Sequence, residues 1–239
     1  MNRPSGQIHG DRRDRELGEL LGIALAMFQE NIGIILGGTA ITMIVPALIM
    51  VPVAIGIAVM GGGMGGEGAQ VDPVKMLPLF AIGGVGLLVT IIVYMIAKIG
   101  FTVILLKIAK GERPAFSEFT SNMGYFGNFL AASLLVGLIV LAGFICLVIP
   151  AIFLGCKLIF TPLLVLDRGM GPIEAMKESW SLSEGQFWKI FLSALAYMVI
   201  NTIVSFIPII GMVGSFVTFP YYELLICALY RSRTGDLAA

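Results

Sequence analysis

The sequence predicts an all-α membrane protein of six transmembrane helices, arranged as three hairpins, each preceded by an amphipathic helix in the cytoplasmic interface. Three observations carry this. Of 239 residues, 58% are hydrophobic and only 13% charged, against roughly one-quarter charged in a soluble domain, and mean hydropathy is +0.97. Apolar runs of about 20 residues, the length that crosses a bilayer as a helix, recur along most of the chain. Lys and Arg gather in alternate connections between those runs. A water-soluble enzyme is excluded, and 15 basic residues against 15 acidic ones leave no global field for nucleic acid.

In chain order, residues 1–15 form a polar cytoplasmic tail that holds His9, the only histidine. The opening is mixed in sign, and Gln29-Glu30-Asn31 stands where a signal peptide would carry small residues, so the first span is expected to be retained. Leu17, Leu20, Leu21, Ala24, Leu25 and Phe28 fall at helical spacing and predict the first interfacial helix. Spans follow over 31–59 and 76–106, separated by the glycine-rich loop Gly61–Gly68. Phe116, Phe119, Met123 and Phe126 predict the second interfacial helix, ahead of spans 127–148 and 150–166. Ile173, Met176 and Trp180 predict the third, starting at Gly171-Pro172, where proline suits a first helical turn. Ser181-x-x-Glu184 then reads as a cap for the span 187–207, and 211–230 is the sixth span before a cytoplasmic tail, 232–239.

Charge placement sets the orientation. The two tails and the 107–126 and 167–189 connections hold twelve of the 15 Lys and Arg residues, whereas the opposite face holds only Lys75. By the positive-inside rule both termini are cytoplasmic, which suits an even number of spans in the inner membrane.

The spacing also predicts internal repeats. Pro52 lies 20 residues after Ile32, Pro150 lies 21 after Phe129, and Pro208 lies 21 after Phe187. Lys98-Ile-Gly-Phe101-Thr102 matches Lys157-Leu-Ile-Phe160-Thr161. Three copies of one unit, over about 16–110, 114–168 and 171–231 of a single membrane domain, account for both registers.

Three ionisable residues lie inside the spans. Lys98 is nine residues before Lys107, Lys157 ten before Asp167, and Glu223 eight before Arg231. At 1.5 Å per residue all three sit about 12–15 Å from the cytoplasmic ends of their helices. An unpaired charge at such depth costs roughly 2.5–3.5 kcal/mol on insertion scales, so pairing is expected. Lys98, Lys157 and Glu223 are therefore the candidate ligand-binding cluster, with two readings side by side: a pocket for an anionic group such as a lipid phosphate, or a structural ion pair with the remaining lysine snorkelling to the interface.

Elsewhere the residues are chemically quiet. Cys146, Cys156 and Cys227 have no metal-ligand spacing, and Gly83-Gly84-Val85-Gly86 lacks the strand-to-helix context of a phosphate loop. Gly33-x-x-x-Gly37 reads as a close helix contact. No catalytic constellation, metal site or cofactor is predicted.

From Pro150 onward the chain carries Pro150-Ala-Ile-x4-Lys157-Leu, Pro162-Leu-x2-Leu-Asp167, and Gly171-Pro172-Ile-Glu174-Ala-Met-Lys177-Glu178-Ser-Trp180-x-Leu182-x2-Gly185-Gln-Phe187-Trp188. This resembles the membrane domain attached to some glycerophosphoryl diester phosphodiesterases, and its stand-alone bacterial and archaeal relatives. The resemblance implies a six-helix membrane module, with Lys157 at a usually basic position. It does not imply phosphodiesterase activity, which resides in a separate soluble barrel.

The expectation is a non-enzymatic module of the inner membrane that binds or handles lipid or supports a membrane partner. Its expected partners are membrane lipids and other membrane proteins, not nucleic acid, with oligomeric state left open. A small-solute transporter or channel subunit is the alternative, and an intramembrane enzyme a second one.

Overall fold

A computed structural model describes residues 16–62, 73–206 and 208–238. The polar tail 1–15 and the Gly63–Gly68 part of the glycine loop lie outside these residues. The described chain is helical: α1 (Leu17–Glu30), α2 (Ile32–Gly62), α3 (Pro73–Ala109), α4 (Glu118–Ser121), α5 (Phe126–Cys146), α6 (Val148–Leu158), α7 (Thr161–Arg168), α8 (Pro172–Leu182), α9 (Phe187–Ser205) and α10 (Pro208–Thr234), with no strand among the described residues. Among the described residues five stretches are long and apolar enough to cross a membrane: Ile32–Val59, Phe80–Ala109, Met123–Cys146, Val148–Arg168 and Phe187–Ser205. The sixth expected span lies in α10, whose 27 residues are long enough, but Ser215, Thr218, Tyr221, Tyr222 and Glu223 dilute its apolar character.

The long helices pack in neighbouring pairs, α2 with α3, α5 with α6, and α9 with α10. Contacts between pairs run in cyclic order. α1 and α2 pack on α10, α4 and α5 pack on α3, and α8 and α9 pack on α7 and α6 respectively. The first segment thus closes on the last.

Burial is concentrated at one end. Phe101, Ile104 and Leu105 of α3, Leu164 of α7, and Leu224, Leu229 and Tyr230 of α10 are fully buried there, with Leu20 and Ala24 of α1 packed around them. At the other end large apolar side chains face outward, Leu48, Val59, Phe80, Ile145, Ile149 and Phe206 among them. An outward apolar surface of this extent is what lipid, not water, solvates.

The amphipathic stretches bury different kinds of face. In α1, Leu20, Ala24 and Phe28 are buried in protein and Leu25 is exposed, so the stripe docks on the helix bundle. In α8 the buried face is Ala175 and Ser179, whereas Ile173 and Trp180 point outward. Small residues let α8 approach the bundle closely, and the larger apolar ones are left for the surroundings. The Gly171-Pro172 start is observed, but the Ser181 to Glu184 cap is not: α9 starts after Gln186 with no side-chain cap.

The second amphipathic stretch shrinks to four residues of α4 and a 3-10 turn, Met123–Tyr125. Asn122 Nδ2 donates to the Glu118 carbonyl at 3.0 Å and so ends α4. Phe116 and Met123 are exposed, while Phe119 packs against the core. Pro52 does not end α2, which runs ten residues beyond it, unlike Pro150 and Pro208 at the starts of α6 and α10. The first pair of helices is therefore the longest, at 31 and 37 residues. The tail after 231 is held as well: α10 continues to Thr234, and the Ala238 amide donates to the Ala109 carbonyl at 3.1 Å.

Two contacts seat α4. Gly100 on α3 leaves room for it, since a Cβ there would lie 2.4 Å from Phe119 Cα. Lys107 at the end of α3 pairs with Glu118 and holds that carboxyl below its usual range through their hydrogen bond. Gly100→Ala should displace α4, costing about 1–3 kcal/mol as other overpacking does, and hydrogen exchange should quicken across 118–125. A depressed carboxyl stabilises the fold above its unfolded value, near 4.5, and loses that contribution as pH falls through the folded value. Protection of α4 should therefore fall on acidification below pH 4.5 in the wild type and show no such step in Glu118→Gln.

Candidate functional site

Lys98 and Glu223 each lie eleven residues before the last residue of their helices, Ala109 and Thr234, and Lys157 lies eleven before Arg168, the last residue of α7. Only two of them meet. Lys98 Nζ and Glu223 Oε1 are 2.8 Å apart, with side chains 18% and 24% exposed, and Lys98 Nζ also lies 5.0 Å from the Phe219 ring centre. The pair sits in the wall of a cavity of about 340 Å³. Tyr94, Lys98 and Thr102 of α3, Pro162 and Leu163 of α7, and Tyr222 and Glu223 of α10 line it, with Phe129 and Ser133 of α5 closing one side. The lining is mostly apolar. The Thr102 hydroxyl is buried beside it without a hydrogen-bond partner.

Lys157 does not join the pair. It is 8% exposed, and its Nζ stands 5.3 Å from the Trp180 ring and 5.8 Å from Phe153. No carboxylate among the described residues pairs with it. The reason is angular: Ile159 and Leu163 face the cavity, and a residue two positions before Ile159 lies about 200° around a helix. Aromatic faces offset part of the cost of burying the ammonium, and its place in the last turn of α6 puts it near the negative end of that helix.

That last turn exists because the expected 150–166 span is broken. α6 ends at Leu158 and α7 begins at Thr161. Pro162 has no amide proton and its ring collides with the carbonyl four residues back, Leu158. Ser179 of α8 repairs the gap, donating from Oγ to the Lys157 carbonyl at 2.9 Å and accepting from the Phe160 amide at 3.2 Å. The break adjoins the cavity, since Ile159 and Pro162 both line it. Pro162 inside an apolar run was the available signal for the break; nothing in the sequence pointed to Ser179.

A second missed group lies at the buried end. Arg231 Nη2 donates to Asp167 Oδ1 at 2.7 Å and Nη1 to Oδ2 at 3.1 Å, and Tyr230 Oη donates to the same Oδ2 at 2.8 Å. Arg231 is 5% and Asp167 18% exposed. In the sequence both stand at span ends, with nothing to mark them as partners.

The described chain is thus an all-helical protein with several helices long and apolar enough to span a membrane. Residues 115–229 match a domain of unknown function, DUF7847. No curated protein and no solved structure matches the chain. The matched stretch contains Lys157, Glu223 and the residues from Pro150 to Trp188, but not Lys98 or the first pair of long helices.

Arg231→Ala leaves a desolvated carboxylate and should lower stability by about 3–5 kcal/mol, whereas Tyr230→Phe should cost about 1 kcal/mol. Thermal unfolding in detergent checks both. Reversing the Lys98 and Glu223 charges together should restore much of the stability lost by either reversal alone.

Proposed function

We propose that the protein is a non-enzymatic, multi-pass module of the inner membrane that binds or handles a lipid, with the cavity at Lys98 and Glu223 as its site. Six helices cross the bilayer as three repeated hairpins, with both termini cytoplasmic. The cyclic order of contacts supports the repeat, and the count of Lys and Arg supports the orientation. The resemblance of residues 150–188 to the phosphodiesterase-associated membrane domain agrees with a membrane module, and the match to DUF7847 covers the second and third units.

The observation that carries the lipid reading is a half-buried ion pair in the wall of a mostly apolar cavity, close to an unpartnered Thr102 hydroxyl. A ligand that fits has an apolar body and one polar end. Glu223 cancels the charge of Lys98, so the favoured polar end is net neutral, a zwitterionic or hydroxyl-bearing group, in place of the anion expected with Lys157 in the cluster.

Native mass spectrometry of the purified protein with lipid identification tests this. The wild type should retain one lipid class. The double variant Lys98→Met with Glu223→Gln keeps the packing and removes both charges, and should retain it about tenfold more weakly or worse, because a hydrogen bond to a charged group contributes roughly 1.5–3 kcal/mol. Equal retention by the double variant overturns the site.

A transporter is the second reading, favoured by one observation: the break between α6 and α7 lies on the cavity wall, and backbone interrupted at membrane depth typically lines a substrate path. Labelling of Thr102→Cys by an impermeant thiol reagent from both faces of a vesicle would favour transport over lipid binding.

A further inference from the structure

A second apolar space lies beside the cavity. It is a slot of about 100 Å³ between α1, α9 and α10, walled by Leu17, Leu21, Leu192, Ala196, Ile200 and Leu225. α1 is pinned over it by the Tyr221 hydroxyl, which donates to the Leu21 carbonyl at 3.1 Å, and by the edge-to-face contact of Tyr221 with Phe28, ring centres 6.1 Å apart. The slot and the cavity share one side chain, Tyr222, which lines both. Its ring is braced by stacking on Tyr197 of α9 at 4.6 Å between centres and 17° between planes. Tyr222 also precedes Glu223, so the partition and the polar anchor are set by one turn of α10.

We propose that Tyr222 is the end wall of an acyl-chain site and sets the length of chain the protein holds, with the ligand's polar end at Lys98 and Glu223. This rests on the lipid reading of the cavity and adds the ligand class, a single-chain fit to a lipid with a net-neutral head group, and the residue that limits it. Removing the ring joins the cavity to the slot, whose walls are apolar and suited to further methylenes. The bracing by Tyr197 explains why the wall is rigid enough to discriminate: a lone tyrosine at the edge of a groove rotates away, whereas a stacked one must break a ring contact first.

The test uses the full-length protein in detergent with an equimolar series of phosphatidylethanolamines that differ only in acyl length, read by native mass spectrometry. The wild type should show a cut-off in chain length. Tyr222→Ala should move that cut-off to longer chains, with an enrichment of about fourfold for each added methylene that becomes buried. Tyr222→Phe keeps the ring and should keep the wild-type cut-off. Filling the slot with Ala196→Phe in the Tyr222→Ala background should bring the cut-off back. If Tyr222→Ala is not recovered folded, Tyr222→Leu shortens the wall while preserving bulk and should shift the cut-off in the same direction. A wild type that binds the series with no cut-off, or an alanine or leucine variant whose cut-off is unmoved, overturns the proposal while leaving the lipid reading intact. Binding of no member of the series by the wild type, together with no retained lipid after purification, overturns both.

Discussion

The arrangement of the helices depends on the contact between Asp167 and Arg231. It joins the end of α7 to the end of α10 by two parallel hydrogen bonds, with Tyr230 supplying a third to the same carboxylate. A planar guanidinium facing a carboxylate has little freedom to slide or rotate, so the pair fixes the height and phase of α10 against α7. Glu223 lies two turns up α10 from Arg231 on a nearby face, and its meeting with Lys98 follows from that setting. Apolar packing among Phe160, Leu164 and Tyr230 holds the elements together but does not choose a register by itself. The choice carries a desolvation cost, since Arg231 is nearly inaccessible and its Nε has no partner.

The three hairpin-like pairs place two different solutions at one depth. On α3 an ammonium is paired with a carboxylate, on α6 an ammonium is held by aromatic rings, and on α10 the carboxylate completes the first pair. The sequence match between the Lys98 and Lys157 segments therefore does not carry over to side-chain direction. Where α3 is continuous its lysine meets Glu223 at the cavity, and where the corresponding helix is broken after Leu158 its lysine turns away from the cavity and is buried against Phe153 and Trp180.

This divergence explains what could be read from the residues beforehand. Lys98 and Glu223 stood out because a charge in an apolar run is costly and needs a partner, and the positions of the long helices followed from hydropathy alone. Lys157 stands out for the same reason, but which lysine Glu223 takes is not legible, because the direction of Lys157 depends on a break near Pro162 that hydropathy does not register. The outward turn of Ile173 and Trp180 in α8 was hidden too: a stripe of large apolar residues marks a face that avoids water, without saying whether protein or lipid covers it. The Ser179 clasp and the Asp167 to Arg231 contact join residues far apart in sequence, and no local pattern announces either.

The length of the first pair of helices has its own consequence. At 1.5 Å per residue, α2 and α3 measure roughly 46 and 55 Å, against about 32 Å for α5 and 28 Å for α9. The hydrocarbon layer of a typical bilayer is about 30 Å thick. α5 and α9 would match it upright, whereas the apolar stretches of α2 and α3, 28 and 30 residues long, would lean, thicken the lipids beside them or project beyond the layer. In a bilayer the first pair would thus be out of step with α5 and α9, and thicker lipid would suit its side. Helix length alone would then give the protein a preferred lateral environment and a direction in the plane of the membrane.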